Sequence, residues 1–101
     1  MNKAMIIGNL TKDPELRTTS SGVSVCTFTV AVNRNFGDKK ETDYIPIVTW
    51  RGLAENCSKF LAKGRKVGVS GRIQTRSYDA NNGEKRYVTE VVVNEIMLLG
   101  K

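Results

Sequence analysis

Four of the seven aromatic residues in this chain stand where a core would not use them. Phe36 lies in a polar stretch between Arg34 and Lys39. Tyr44 and Trp50 share one face of the strand pattern YIPIVTW, and Ile45 and Ile47 occupy the other. Tyr78 ends a strand face that also carries Arg72 and Arg76. The other three read differently. Phe28 sits inside an apolar strand and Phe60 on an apolar helical stripe, so both read as core. Tyr87 borders a long apolar run and is open to either reading, the core being the simpler.

Positive charge accompanies these aromatics. From Arg51 to Arg76 there are seven basic residues (Arg51, Lys59, Lys63, Arg65, Lys66, Arg72 and Arg76) against Glu55 alone, which equals the chain's whole net charge of +6. A solvated basic face is the plain alternative. Aromatics interleaved with Lys and Arg on strands and loops suit a sharper purpose. Unpaired bases expose π-faces, and each base stacked on an aromatic is worth roughly 1–3 kcal/mol. Lys and Arg hold the phosphates. Neither device reads sequence, so the pattern implies sequence-tolerant binding of a single strand.

Other chemistries lack their residues. There is no histidine, which removes the usual general base, the usual partner of a Ser or Cys nucleophile and the commonest metal ligand. Cys26 and Cys57 form no CxxC pair and read as small buried thiols of a reducing compartment. Asp and Glu are scattered; Asp13/Glu15 and Glu41/Asp43 could be argued as metal carboxylates, but loop solubility explains them more simply. Gly8, Gly22, Gly68 and Gly71 make no phosphate-binding glycine motif. No apolar run approaches the ~18 residues of a membrane span, and Met1-Asn2-Lys3 leads straight into a strand pattern without a signal peptide. The expectation is a cytoplasmic, non-enzymatic binding protein with no cofactor and no metal. A small metal-dependent nuclease is the enzymatic rival.

These residues must be positioned by strands. Residues 3–10 read as the first, with Gly8 marking a bulge or a close backbone approach. Residues 11–21 read as loop. Residues 22–34 are rich in β-branched side chains and read as a long strand, and 35–43 as a polar connection. Residues 44–51 follow as a strand in which Pro46 demands an edge or a bulge. At 52–63 the period changes: Leu53, Cys57, Phe60 and Leu61 recur at helical spacing, with Gly64 as the expected C-terminal cap. Residues 66–78 and 86–99 return to strand pattern around the turn signal Asn82-Gly83, the last strand bending near Asn94. The order β-β-β-α-β-β predicts an all-β class: a five-stranded Greek-key barrel of the OB type with one short helix, formed by residues 1–101 as one domain. A seven-stranded sandwich does not fit this length easily.

The segments NKAMIIGNLTKDPELR, GVSVCTFTVAVNR, DYIPIVTWRGLAENCSKFLAKG, GVSGRIQTRSY and RYVTEVVV resemble the bacterial single-stranded DNA-binding protein family from about Asn2 to Leu99. The resemblance implies an OB-fold, commonly assembled as a homotetramer around which single-stranded DNA wraps in replication, recombination and repair. It implies base stacking at Phe36, Tyr44, Trp50 and Tyr78. It implies phosphate contacts at Lys3, Arg17, Arg34, Lys63, Arg76 and Arg86, and strand parity adds Arg72. Family members usually continue into a flexible linker ending in an acidic tip that recruits replication and repair enzymes. Residues 1–101 contain neither, whether they are part of a longer chain or a short form of the family, so the resemblance leaves replication and repair partners open. Pro46 stands where a hydrogen-bonding residue is more usual. A primosomal accessory type of OB protein, which acts chiefly through protein contacts, is the nearer rival, and the four aromatics argue against it.

Overall fold

The computed structural model describes residues 1–100. In chain order the elements are β1 (Ala4–Leu10), β2 (Glu15–Thr18), β3 (Ser24–Phe36), β4 (Lys39–Trp50), α1 (Arg51–Phe60), β5 (Lys66–Asp79) and β6 (Lys85–Leu99). β1 pairs along its length with β5, β5 with β6, and β3 with β4, all antiparallel. Two short contacts close the cylinder. β4 and β6 run parallel at Ile47–Val91 and Val48–Val92, and β1 meets β3 at Asn9–Ala31 and Leu10–Val30. The result is the expected OB-type barrel of five strands, with the helix between the third and fourth of them.

Alternation along the strands supplies the core. Leu10, Cys26, Phe28, Val30, Ile47, Val67, Val69, Val91 and Val93 turn inward, and Ala54, Cys57 and Leu61 close one end. The two glycines that allow tight closure are Gly8 and Gly71. A Cβ at Gly8 would strike the carbonyl oxygen of Ala31, and one at Gly71 would strike that of Val92. The expected close approach at Gly8 is thus present. So is the bend near Asn94: Ser70 pairs with Glu95 and Gly71 with Val93, leaving Asn94 as the extra residue of a bulge. Pro46 is accommodated as the sequence required. It opposes Thr29, whose carbonyl turns away from β4 to accept from the Thr11 amide at 3.0 Å, so no ladder bond is asked of Pro46. Pairing of β4 with β6 begins only at Ile47.

Several expectations need correction. Residues 15–18 are not loop; they form β2 against Val25 and its neighbours on β3. Residues 35–43 are not a loose connection. β3 and β4 run on as a two-stranded ribbon to a turn at Gly37-Asp38, with pairs such as Asn33–Thr42 and Arg34–Glu41. Both segments are exposed on both faces, so no apolar alternation marks them as strands. The helix ends at Phe60, not residue 63. Leu61 is its extended cap, and Gly64 (φ 87°) serves instead to turn the chain back, donating its amide to the Leu10 carbonyl at 2.8 Å. Phe60 and Tyr87 are not core: they are 65% and 77% exposed. Phe60 lies in the last helical turn, where it borders an open hollow with Ile96 and Leu98 of β6, and Tyr87 stands on a hairpin that has left the core.

Candidate nucleic-acid interface

The outward side of β3 and β4 forms the floor of a groove of about 430 Å³. Thr27, Thr29, Pro46 and Val48 lie along it. One wall is the segment from Thr11 to Arg17, including Lys12, and the other is the β5–β6 hairpin through Arg76, Val88 and Glu90. Both walls follow from pairing. β2 is held beside β3, and Asp13 accepts the Lys63 amide at 2.8 Å, tying the first wall to the turn after the helix. The second wall is a regular ladder in which Arg76 opposes Val88 and Tyr78 opposes Arg86.

The aromatics flank this floor. Tyr44, Pro46, Val48 and Trp50 alternate onto one face of β4, so Tyr44 and Trp50 stand about 20 Å apart along the strand with the lower side chains between them. Tyr44 is 65% exposed and Trp50 41%. Trp50 is held outward by a sharp corner: it is extended (φ −126°), and Arg51 immediately enters the left-handed region (φ 60°) as the helix begins. A non-glycine residue there costs about 1–2 kcal/mol. Tyr78, half exposed, continues the face of Arg76 one ladder step beyond the groove wall.

Phe36 is not brought to the same face. It pairs with Lys39, on the parity of Arg34, whereas Tyr44 and Trp50 have the opposite parity. It stands at the ribbon's tip with the Arg34 guanidinium 5.6 Å from its ring centre. Arg34 is also paired with Glu41 at 2.9 Å and Asp43 at 2.6 Å.

The basic candidates are dispersed. Arg17 lines the groove, paired with Glu15 at 3.1 Å, and Arg76 lines it opposite, paired with Glu90 at 3.2 Å. Arg72 reaches Arg76 indirectly, through Gln74 and Glu90. Arg86 faces Tyr78 across the hairpin, and Lys63 adjoins the wall at Asp13. Lys3 belongs elsewhere: it borders a hollow with Met5, Ile7, Gly68 and Met97 on the outer side of β1, β5 and β6. Of the seven basic residues between Arg51 and Arg76, Arg76 alone lines the groove. Charge clustered along the chain is divided among helix, turn and strand.

Of the groove's lining only Arg17 and Arg76 are nucleic-acid candidates from the sequence; Lys12, Val88 and Glu90 are among the residues that sequence reasoning does not single out. Lys12 sits in a segment read as loop, where its direction was not legible. Val88 looked like one more apolar strand residue. Glu90 is an acid within an apolar strand, and that incongruity is a signal in the sequence. Among the described residues no group of His, Cys, Asp and Glu could hold a metal ion, and no helix is long and apolar enough to cross a membrane.

Comparison with known proteins concerns the chain as a whole. The family model described as "Single-strand binding protein family" matches residues 1–99. "Single-stranded DNA-binding protein 3" of Clostridium acetobutylicum is 53% identical over 102 residues, covering 98% of this chain and 71% of that protein. The "Single-stranded DNA-binding protein" of Clostridium tetani is 51% identical, covering 98% and 70%. That of Caldanaerobacter subterraneus is 53% identical, covering 98% and 68%. The family is one of DNA-binding proteins and not of enzymes, in line with the missing catalytic residues. An OB-type barrel whose exposed aromatics stand beside a groove lined by paired cations and carboxylates, matched along nearly its whole length in this way, belongs to the single-strand binding protein family.

Proposed function

We propose that this chain binds single-stranded DNA without regard to sequence. Bases stack on Tyr44, Trp50, Tyr78 and, at the ribbon tip, Phe36. Phosphates meet Arg17, Arg76, Arg72, Arg86 and Lys63. The observation that carries this reading is the pair of exposed rings, Tyr44 and Trp50, on the strand face that supplies Pro46 and Val48 to a groove lined by Arg17 and Arg76. Exposed aromatics beside cations suit splayed bases and offer a closed duplex little. Binding the single strand alone shifts duplex melting by mass action. The role is protection of single strands in the bacterial cytoplasm during replication, recombination and repair. Titration with dT oligonucleotide and with duplex at two salt concentrations tests it: tight, salt-sensitive binding of the single strand only is expected, and equal affinity for both would contradict it.

The chain works as a homotetramer in this reading. Met5 (74% exposed), Ile7 (58%) and Met97 (53%) form an apolar row on the outer face of β1, β5 and β6, with Gly68 between the last two. β1 is paired with β3 only at Asn9 and Leu10 and touches it at Gly8, so its edge from Ala4 to Ile7 is open for another copy. Apolar patches of this kind are rarely left to solvent. Lys3 borders this face, so its assigned phosphate contact requires a strand that leaves the groove and wraps the assembly. Sedimentation at micromolar concentration checks the state: a tetramer is expected, and a monomer would overturn it.

A further inference from the structure

Glu90 is the one buried charged side chain among the described residues, 4% exposed, and it lies against a groove read as an anion site. A carboxylate there repels phosphate, and burying one is tolerable only with partners. Its partners are specific. Nε of Arg76 donates to Oε1 at 3.3 Å and to Oε2 at 3.2 Å, and Nε2 of Gln74 donates to Oε2 at 3.0 Å. The Gln74 carbonyl oxygen accepts from Nη1 of Arg72 at 3.3 Å. Glu90 therefore joins two basic residues of β5. It grips Arg76 by the inner edge of the guanidinium. The two terminal amino groups of Arg76, on a side chain 53% exposed, have no protein acceptor among the described residues.

We propose that Glu90 is a positioning residue for the bound strand: it holds Arg76 by Nε, aims the terminal amino groups into the groove for a two-pronged phosphate contact, and cancels that residue's charge. The proposal rests on the groove being the strand's path. A planar fork held on one edge matches a phosphate on the other, which a lysine cannot do. With its charge already balanced, Arg76 orients the strand and releases little counterion when phosphate arrives. The salt dependence of binding then comes from the unpaired cations.

The test measures affinity of the intact chain for labelled dT oligonucleotide between 50 and 500 mM NaCl, for the parent, Glu90→Gln and Arg76→Lys. Glu90→Gln frees the charge of Arg76, so its log–log salt slope steepens by about 0.7, and its affinity relative to the parent falls about five-fold across that range. Arg76→Lys keeps the charge and loses the fork; it is expected to bind about five- to ten-fold more weakly at 500 mM. The second variant replaces a half-exposed side chain, so it reports even if Glu90→Gln folds poorly. A merely structural Glu90 would change the melting temperature and leave the slope alone. An unchanged slope for Glu90→Gln, or parental affinity for Arg76→Lys, overturns the proposal while the parent's binding of dT still stands. A parent that does not bind dT removes the groove reading and this inference together.

Discussion

Arg17 and Trp50 stand on the same face of the sheet two strands apart, because Val25 of β3 is the cross-strand partner of both. Neighbouring strands lie about 4.8 Å apart, so a cation and an indole are set roughly 10 Å from one another across β3. Their contributions are separable. Trp50→Ala is expected to cost about 1–3 kcal/mol of single-strand affinity with the salt slope unchanged. Arg17→Ala is expected to lower the slope by up to about 0.7, less to the extent that Glu15 already screens it. Affinity measured against salt for each variant distinguishes the two.

Phe36 yields a prediction from its place on the far parity of the β3–β4 ribbon. A short oligonucleotide that fills the groove need not reach it, whereas a long strand must pass the tip. Phe36→Ala is expected to leave the affinity of a short dT oligonucleotide within error and to weaken a long one by about 1–3 kcal/mol. Equal losses at both lengths would place Phe36 in the groove path itself.

Gly71 sits at the bulge where Asn94 is the unpaired residue, with the Val92 carbonyl occupying the space a Cβ needs. Gly71→Ala is expected to destabilise the fold by about 3 kcal/mol, since the obstacle is backbone and cannot rotate away. Urea unfolding followed by far-UV circular dichroism checks this. A change below 1 kcal/mol would mean that the bulge relocates freely.

Much of this architecture was legible and some was not, and the dividing line is burial. Where a strand has one wet and one dry face, as from Cys26 to Val30, alternation and β-branching reveal it, and the run Val91 to Val93, buried throughout, shows through β-branching alone. The same parity set Tyr44 and Trp50 apart from Ile45 and Ile47, and the structure keeps them apart. β2 and the outer ribbon carry no such contrast, so a four-residue strand and Phe36's true position were invisible. Phe60 shows the converse: an apolar stripe of correct period can outrun the core it packs on. The groove's second wall depends on which strands become neighbours, which no local spacing reveals.

The thiols give a pH prediction. Burial, helped by the neighbouring Cys57 and opposed by a hydrogen bond with Thr49, pushes Cys26 up to about 11; burial also raises Cys57. Raised values in the folded state mean that the unfolded chain loses these protons first as pH climbs. For Cys26 the stabilisation is present below about pH 9 and is lost toward 11, by up to about 1.4 kcal/mol per pH unit. Cys26→Ala is expected to flatten the fall in melting temperature between pH 9 and 11, and an identical profile would contradict the assignment.

Trp50 is the only tryptophan of the chain, so its fluorescence reports the groove alone. Titration of the protein with dT oligonucleotide, followed by indole emission and in parallel by anisotropy of labelled DNA, tests base stacking most directly. Strong quenching that saturates together with the anisotropy, reverses with salt and is not produced by duplex DNA is the expected result. Saturating anisotropy with unchanged indole emission would contradict it, because the strand would then be bound without stacking on Trp50.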